Sequence, residues 1–112
     1  MPNCSIYYIY VLECRKNFLY CGITTDISRR FNEHVSGKRG ARFTRAFKPG
    51  RILKCWKTGN RSDAQRIEAF FKSMNKKEKL ECLEKPAVFL KKIKKNPGLK
   101  IRSYIRILKN IS

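Results

Sequence analysis

Seven consecutive residues, Ile6 to Leu12 (IYYIYVL), are apolar or aromatic at every position. A short run with no polar face predicts a central β-strand covered on both sides. The chain must then supply cover above and below that strand. Its 112 residues are enough for one such domain and leave no room for a second core of ordinary size.

The neighbouring segments suit that task. Phe18 to Ile23 is a second strand candidate, and the five polar residues between the two runs (ECRKN) close an antiparallel hairpin. Asp26 is a good N-cap for a helix running to about Ser36, with Gly37 as its terminating residue. The inward stripe of that helix reads Ile27, Arg30, Phe31, His34. After a basic loop over residues 37–50, Arg51 to Thr58 reads as a third strand. Ser62 and Gln65 form a capping-box pair for a further helix whose apolar stripe is Ala64, Ile67, Phe71 and Met74, and Glu68 falls on the same stripe. Lys76 to about Leu83 is a short helix, and Pro86 opens another that ends at Asn96, Pro97 and Gly98. In the tail, helical spacing selects Ile101, Tyr104, Ile105, Leu108 and Ile111, whereas alternation selects Leu99, Ile101, Ile105 and Ile107; the helix is preferred. The fold class expected is therefore α+β, a three-stranded, mainly antiparallel sheet flanked by helices. Residues 1–84 form the domain, and 85–112 form a basic, helical C-terminal extension packed on or appended to it.

Charge narrows the function. There are 27 Lys and Arg against 8 acids, a net charge of +19, and such self-repulsion is usually retained because the partner is a polyanion. Residues 85–112 hold nine basic residues and no acid, and nine more lie between His34 and Ser62 without an Asp or Glu. Two basic surfaces are expected, with nucleic acid as the partner. No apolar run is long enough for a membrane span and no secretory leader is visible, so a cytoplasmic setting without membrane attachment is expected. The five cysteines are odd in number and irregularly spaced. Buried, reduced thiols are expected in preference to a zinc site made by Cys4, Cys14, Cys21 and His34.

Three positions that patterning makes apolar are instead Arg30, His34 and Glu68. An inward arginine cannot shed its charge and needs a carboxylate or a phosphate beside it. An internal salt bridge from Arg30 to Glu68 would satisfy that need without any chemistry. Tyr8 and Tyr10 share one face of the first strand, however, and Tyr20 lies on the second, so phenols, guanidinium, imidazole and carboxylate can converge. Phosphodiester hydrolysis uses such a set: charge stabilisation on the phosphate, a base for the water, and a metal-held oxygen. Asp26 and Asp63 are committed to helix starts, which disfavours a two-metal site.

Tyr8-Ile9-Tyr10, nine further residues, Tyr20-Cys21-Gly22, then ITTDISRRFNEH, and later GKRGARFTR and RSDAQRIEAFFKSMNKKEK, resemble the GIY-YIG nuclease superfamily, in particular its small stand-alone bacterial members. The resemblance spans residues 5 to about 84. It implies that Tyr10 contacts or deprotonates the attacking water, that Tyr20 positions water and phosphate, and that Arg30 clamps the scissile phosphate. It further implies that His34 accepts or relays a proton and that Glu68 binds a single Mg2+ or Mn2+. Lys72 would be a second phosphate ligand, and Lys38, Arg39, Arg42 and Arg45 would hold flanking phosphates. The sequence departs from the family signature at Tyr8, in place of a glycine, and at Cys21, in place of an aliphatic residue. The activity implied is a one-metal endonuclease acting on DNA rather than RNA, including branched or structured DNA. The alternative is a basic DNA- or RNA-binding module that keeps the fold without turnover.

Overall fold

The computed structural model describes residues 6–36, 49–103 and 105–107. Within them the order is β1 (Tyr7–Cys14), β2 (Leu19–Thr24), α1 (Ile27–Ser36), β3 (Pro49–Thr58), α2 (Arg61–Ser73), α3 (Lys76–Glu84), α4 (Pro86–Lys94) and β4 (Arg106–Ile107), and a 3-10 turn (Arg15–Asn17) joins the first two strands. All pairings are antiparallel, in the sheet order β2-β1-β3-β4. β1 is internal, as its apolar run requires. Alternation sends Ile9 and Val11 to one core and Tyr10, Leu12 and Cys14 to the other.

The two faces are covered differently. Ile27 and Phe31 of α1 pack on the face that carries Tyr10. On the opposite face Ala64, Ile67 and Phe71 of α2, Cys82 and Leu83 of α3, and Phe89 and Ile93 of α4 close around Trp56. Trp56 meets Phe89 edge-on at 4.8 Å between ring centroids, and Phe89 meets Phe71 edge-on at 5.7 Å. Rings of this size bury enough surface for roughly 4–6 kcal/mol each, before the entropy of ordering is subtracted. The hairpin turn is held at Asn17, whose φ of 62° is tolerated by Asn better than by most residues, and Lys76 Nζ donates to its carbonyl at 2.7 Å.

Local expectations are met at most elements, with two corrections. Asp26 does cap α1, accepting from Arg29 N at 3.0 Å. α2, however, begins two residues earlier than the Ser62–Gln65 pair implied. Asn60 is its N-cap, accepting from Asp63 N at 2.8 Å, so Ser62 already lies inside the helix. The second correction is the tail, which pairs as a fourth strand beside β3 instead of continuing as a helix. The alternating pattern prevails because it lets Ile105 and Ile107 reach the Trp56 core while β4 satisfies backbone groups at the open edge of β3. Tyr104, Leu108 and Ile111, which the helical spacing needed, lie outside the described residues.

A buried carboxylate fixes the approach of that tail. Asp63, 1% exposed, accepts from the backbone N of Arg102 and of Ser103 and from the Ser103 hydroxyl. Asn60 Nδ2 adds a further hydrogen bond at 3.2 Å. Burial alone would raise the Asp63 carboxyl, but these donors hold it below the usual carboxylate range. Gly59 N donates to Ser103 Oγ at 3.0 Å, and a Cβ at Gly59 would sit 2.8 Å from the Ser103 Cβ, so only glycine admits the tail this close. The cysteines Cys14, Cys21, Cys55 and Cys82 are free and buried. No helix among the described residues is long and apolar enough to cross a membrane.

Candidate active site

The hairpin and α1 bring four of the expected side chains together. Tyr10 on β1 stands opposite Gly22 on β2, and a Cβ built on Gly22 would lie 2.6 Å from the Tyr10 hydroxyl oxygen. The glycine therefore makes a bare patch of strand across which the phenol lies. Tyr20, two residues earlier on β2, points to the same face, its ring 6.2 Å from that of Tyr10.

Helix α1 delivers the other two, because residues one turn apart lie on one face. His34 is 1% exposed, its Nε2 is 2.9 Å from the Tyr10 hydroxyl, and its ring lies edge-on to Tyr20 at 5.0 Å. Burial pushes the His34 pKa down to about 4, helped by the Arg30 charge and opposed by Glu33, so the imidazole is neutral at physiological pH. Burial also raises the Tyr10 phenol above its ordinary value; Tyr20 adds to this and Arg30 opposes it. Tyr10 is thus a protonated phenol.

Arg30 finds its carboxylate within its own helix. Its guanidinium pairs with Glu33 at 3.0 Å, and both side chains are about a fifth to a quarter exposed. The anticipated alternative, an Arg30–Glu68 salt bridge, is replaced by this i,i+3 pair. Glu33 is therefore the residue that sequence reasoning missed, and its spacing from Arg30 was the available signal.

Glu68 occupies the other side of β2. Its Oε2 pairs with Lys72 Nζ at 3.2 Å, and its charge raises the thiol of Cys21, which burial first of all pushes up to about 12. Cys21 points away from Tyr20 and Gly22 because successive strand residues alternate. The triplet Tyr20-Cys21-Gly22 thus has the phenol and imidazole on one face and the carboxylate on the other, with β2 as the sheet edge between them. Lys72 is half-exposed and already engaged by Glu68. Lys38, Arg39, Arg42 and Arg45 lie outside the described residues.

A model of the GIY-YIG catalytic domain matches residues 6–81. The chain belongs to the GIY-YIG nuclease family. GIY-YIG relatives include a UPF0213 protein of Cupriavidus necator, 43% identical over 84 residues, covering 74% of this chain and 90% of that one. A UPF0213 protein of Streptococcus agalactiae is 43% identical over 77 residues, covering 69% and 86% of the two chains. The solution NMR structure of the UPF0213 protein BH0048 from Bacillus halodurans is 33% identical, covers 78% of this chain and 95% of its own, and superposes with a TM-score of 0.48. The chain is thus a small GIY-YIG protein whose family signature falls on the hairpin, α1 and α2.

The donor set bears on a metal. Among the described residues no group of three or more His, Cys, Asp or Glu could hold an ion. Glu68 is a lone, partly buried carboxylate, its side chain 22% exposed. Mg2+ keeps several of its waters and needs only one or two carboxylates plus substrate phosphates, so the single, partly exposed Glu68 on α2 fits it.

Proposed function

We propose that this GIY-YIG protein is a divalent-metal-dependent endonuclease that hydrolyses DNA phosphodiester bonds by a one-metal mechanism. The observation that carries the reading is the 2.9 Å contact between the Tyr10 hydroxyl and a buried, neutral His34, with Arg30 beside them. A protonated phenol cannot take a proton unless it passes on its own. With its proton on Nδ1, His34 has an accepting Nε2, so Tyr10 can receive the water's proton as its own moves to the imidazole.

Each remaining residue then has a role. Arg30 exchanges Glu33 for the scissile phosphate and neutralises the charge that grows there. Tyr20 confines the attacking water against the His34 ring. Water oxygen bonds to phosphorus in line with the departing 3' oxygen, the P–O3' bond breaks, and the leaving oxygen is protonated from solvent. Glu68 would hold a magnesium or manganese ion, which supplies Lewis-acid stabilisation of the phosphate oxygens when bound. For Glu68 to reach the same phosphate as Arg30, the substrate must lie across the β2 edge.

The test is cleavage of linear, nicked and branched DNA in Mg2+ or Mn2+, with EDTA and the Glu68→Ala variant as blanks. Metal-dependent products that both blanks abolish are expected. Undiminished cleavage in either blank would refute the one-metal reading, and retained DNA binding with no product under any condition would favour the non-catalytic binding module.

A further inference from the structure

One row of the sheet sets two cations side by side next to the active-site row. Thr24 on β2 pairs with Tyr8 on β1, Tyr8 with Lys57 on β3, and Lys57 with Arg106 on β4. The adjacent row is Gly22, Tyr10 and Cys55. Alternation fixes the direction of this row: Trp56 and Ile107 enter the core beneath α2 and α4, so Lys57 and Arg106 lie on the face that bears Tyr10. Two cations directly opposite each other on neighbouring strands concentrate positive potential at this place. Lys57, Thr58, Gly59, Arg106 and Ile6 line a cleft of about 300 Å3 at this place.

The fold carries a specific device for delivering Arg106 to this row. Arg106 lies beyond residues 6–81, the extent of the family domain, and arrives on a tail pinned three to four residues earlier, where Asp63 and Gly59 hold Arg102 and Ser103. Strands are about 4.8 Å apart and residues rise about 3.4 Å along each, so Arg106, two strands over and two residues along from Tyr10, stands about 12 Å away across the sheet.

We propose that Lys57 and Arg106 form a backbone-phosphate subsite, on the face of the sheet that carries Tyr10 and flanking the bond to be cut. The subsite rests on the reading of the chain as a nucleic-acid enzyme, but binding can be measured without turnover. The experiment is fluorescence anisotropy of a labelled duplex DNA in EDTA, across a salt series, with the full chain. Lys57→Gln combined with Arg106→Gln should weaken binding and flatten the slope of log affinity against log salt by about 0.9 for each phosphate that is no longer neutralised. Lys57→Arg combined with Arg106→Lys keeps both charges and should restore the slope. Lys77→Gln, on the exposed surface of α3, serves as the control and should change the slope by less than half as much. The subsite is overturned if the double Gln variant, with unchanged near-UV circular dichroism, matches wild type or weakens no more than Lys77→Gln. Failure of the wild-type chain to bind the duplex would instead overturn the nucleic-acid reading, and the subsite with it.

Discussion

Two regions of this small protein bury polar side chains, and they treat them in opposite ways. At the start of α2, Asp63 receives backbone, hydroxyl and amide donors from three residues and is held ionised. Between α1 and the hairpin, Tyr10 and His34 hydrogen-bond to each other, Arg30 also hydrogen-bonds the phenol, and burial holds both Tyr10 and His34 in their uncharged forms. A fully satisfied carboxylate costs little to bury and fixes backbone, as Asp63 fixes the tail. A phenol and imidazole in hydrogen-bond contact, both uncharged, keep a transferable proton between them. The first arrangement serves position and the second serves chemistry.

Four changes would break or sharpen that contrast. Arg30→Ala should give the largest effect, a loss of cleavage of about 10²–10³-fold or more with thermal stability close to wild type, measured by single-turnover kinetics beside a melting curve. A comparable fall in stability would make Arg30 a structural ion-pair partner. Asp63→Ala should do the reverse, costing roughly 2–4 kcal/mol in denaturant unfolding because the donors of Arg102 and Ser103 are deprived of a charged acceptor. Gly22→Ala stands between the two regions in kind. The new methyl must displace the Tyr10 ring, so a stability loss of about 1–3 kcal/mol is expected together with reduced cleavage.

The smallest expected effect is in pH dependence. The His34 pKa is lowered from 6.5 to about 4 on folding, so the unfolded chain binds more protons between those values and stability rises with pH across that window. His34→Gln should remove this part of the slope in melting temperature measured from pH 4 to 7. If the slope is unchanged, His34 is not buried neutral, and the proton path through Tyr10 has no acceptor.

The sequence alone was enough for the layer plan and for membership of the family. A seven-residue apolar run can be covered on both faces only inside a sheet, and the tyrosine, glycine and arginine spacings depend on strand alternation and helix repeat, which are local rules. The same rules put Arg30 and His34 on one face of α1, where the structure finds them against Tyr10 and Tyr20. Tertiary packing decided the rest. The tail carried two compatible periodicities, and the open edge of β3 with the Asp63 carboxylate selected the strand. Which carboxylate Arg30 takes, and on which side of β2 Glu68 stands, followed from packing that no spacing encodes. The protonation of Tyr10 and His34 was beyond the sequence for a physical reason. Net charge is a property of composition, whereas desolvation depends on what surrounds a group, and burial here outweighs the field of a chain carrying +19.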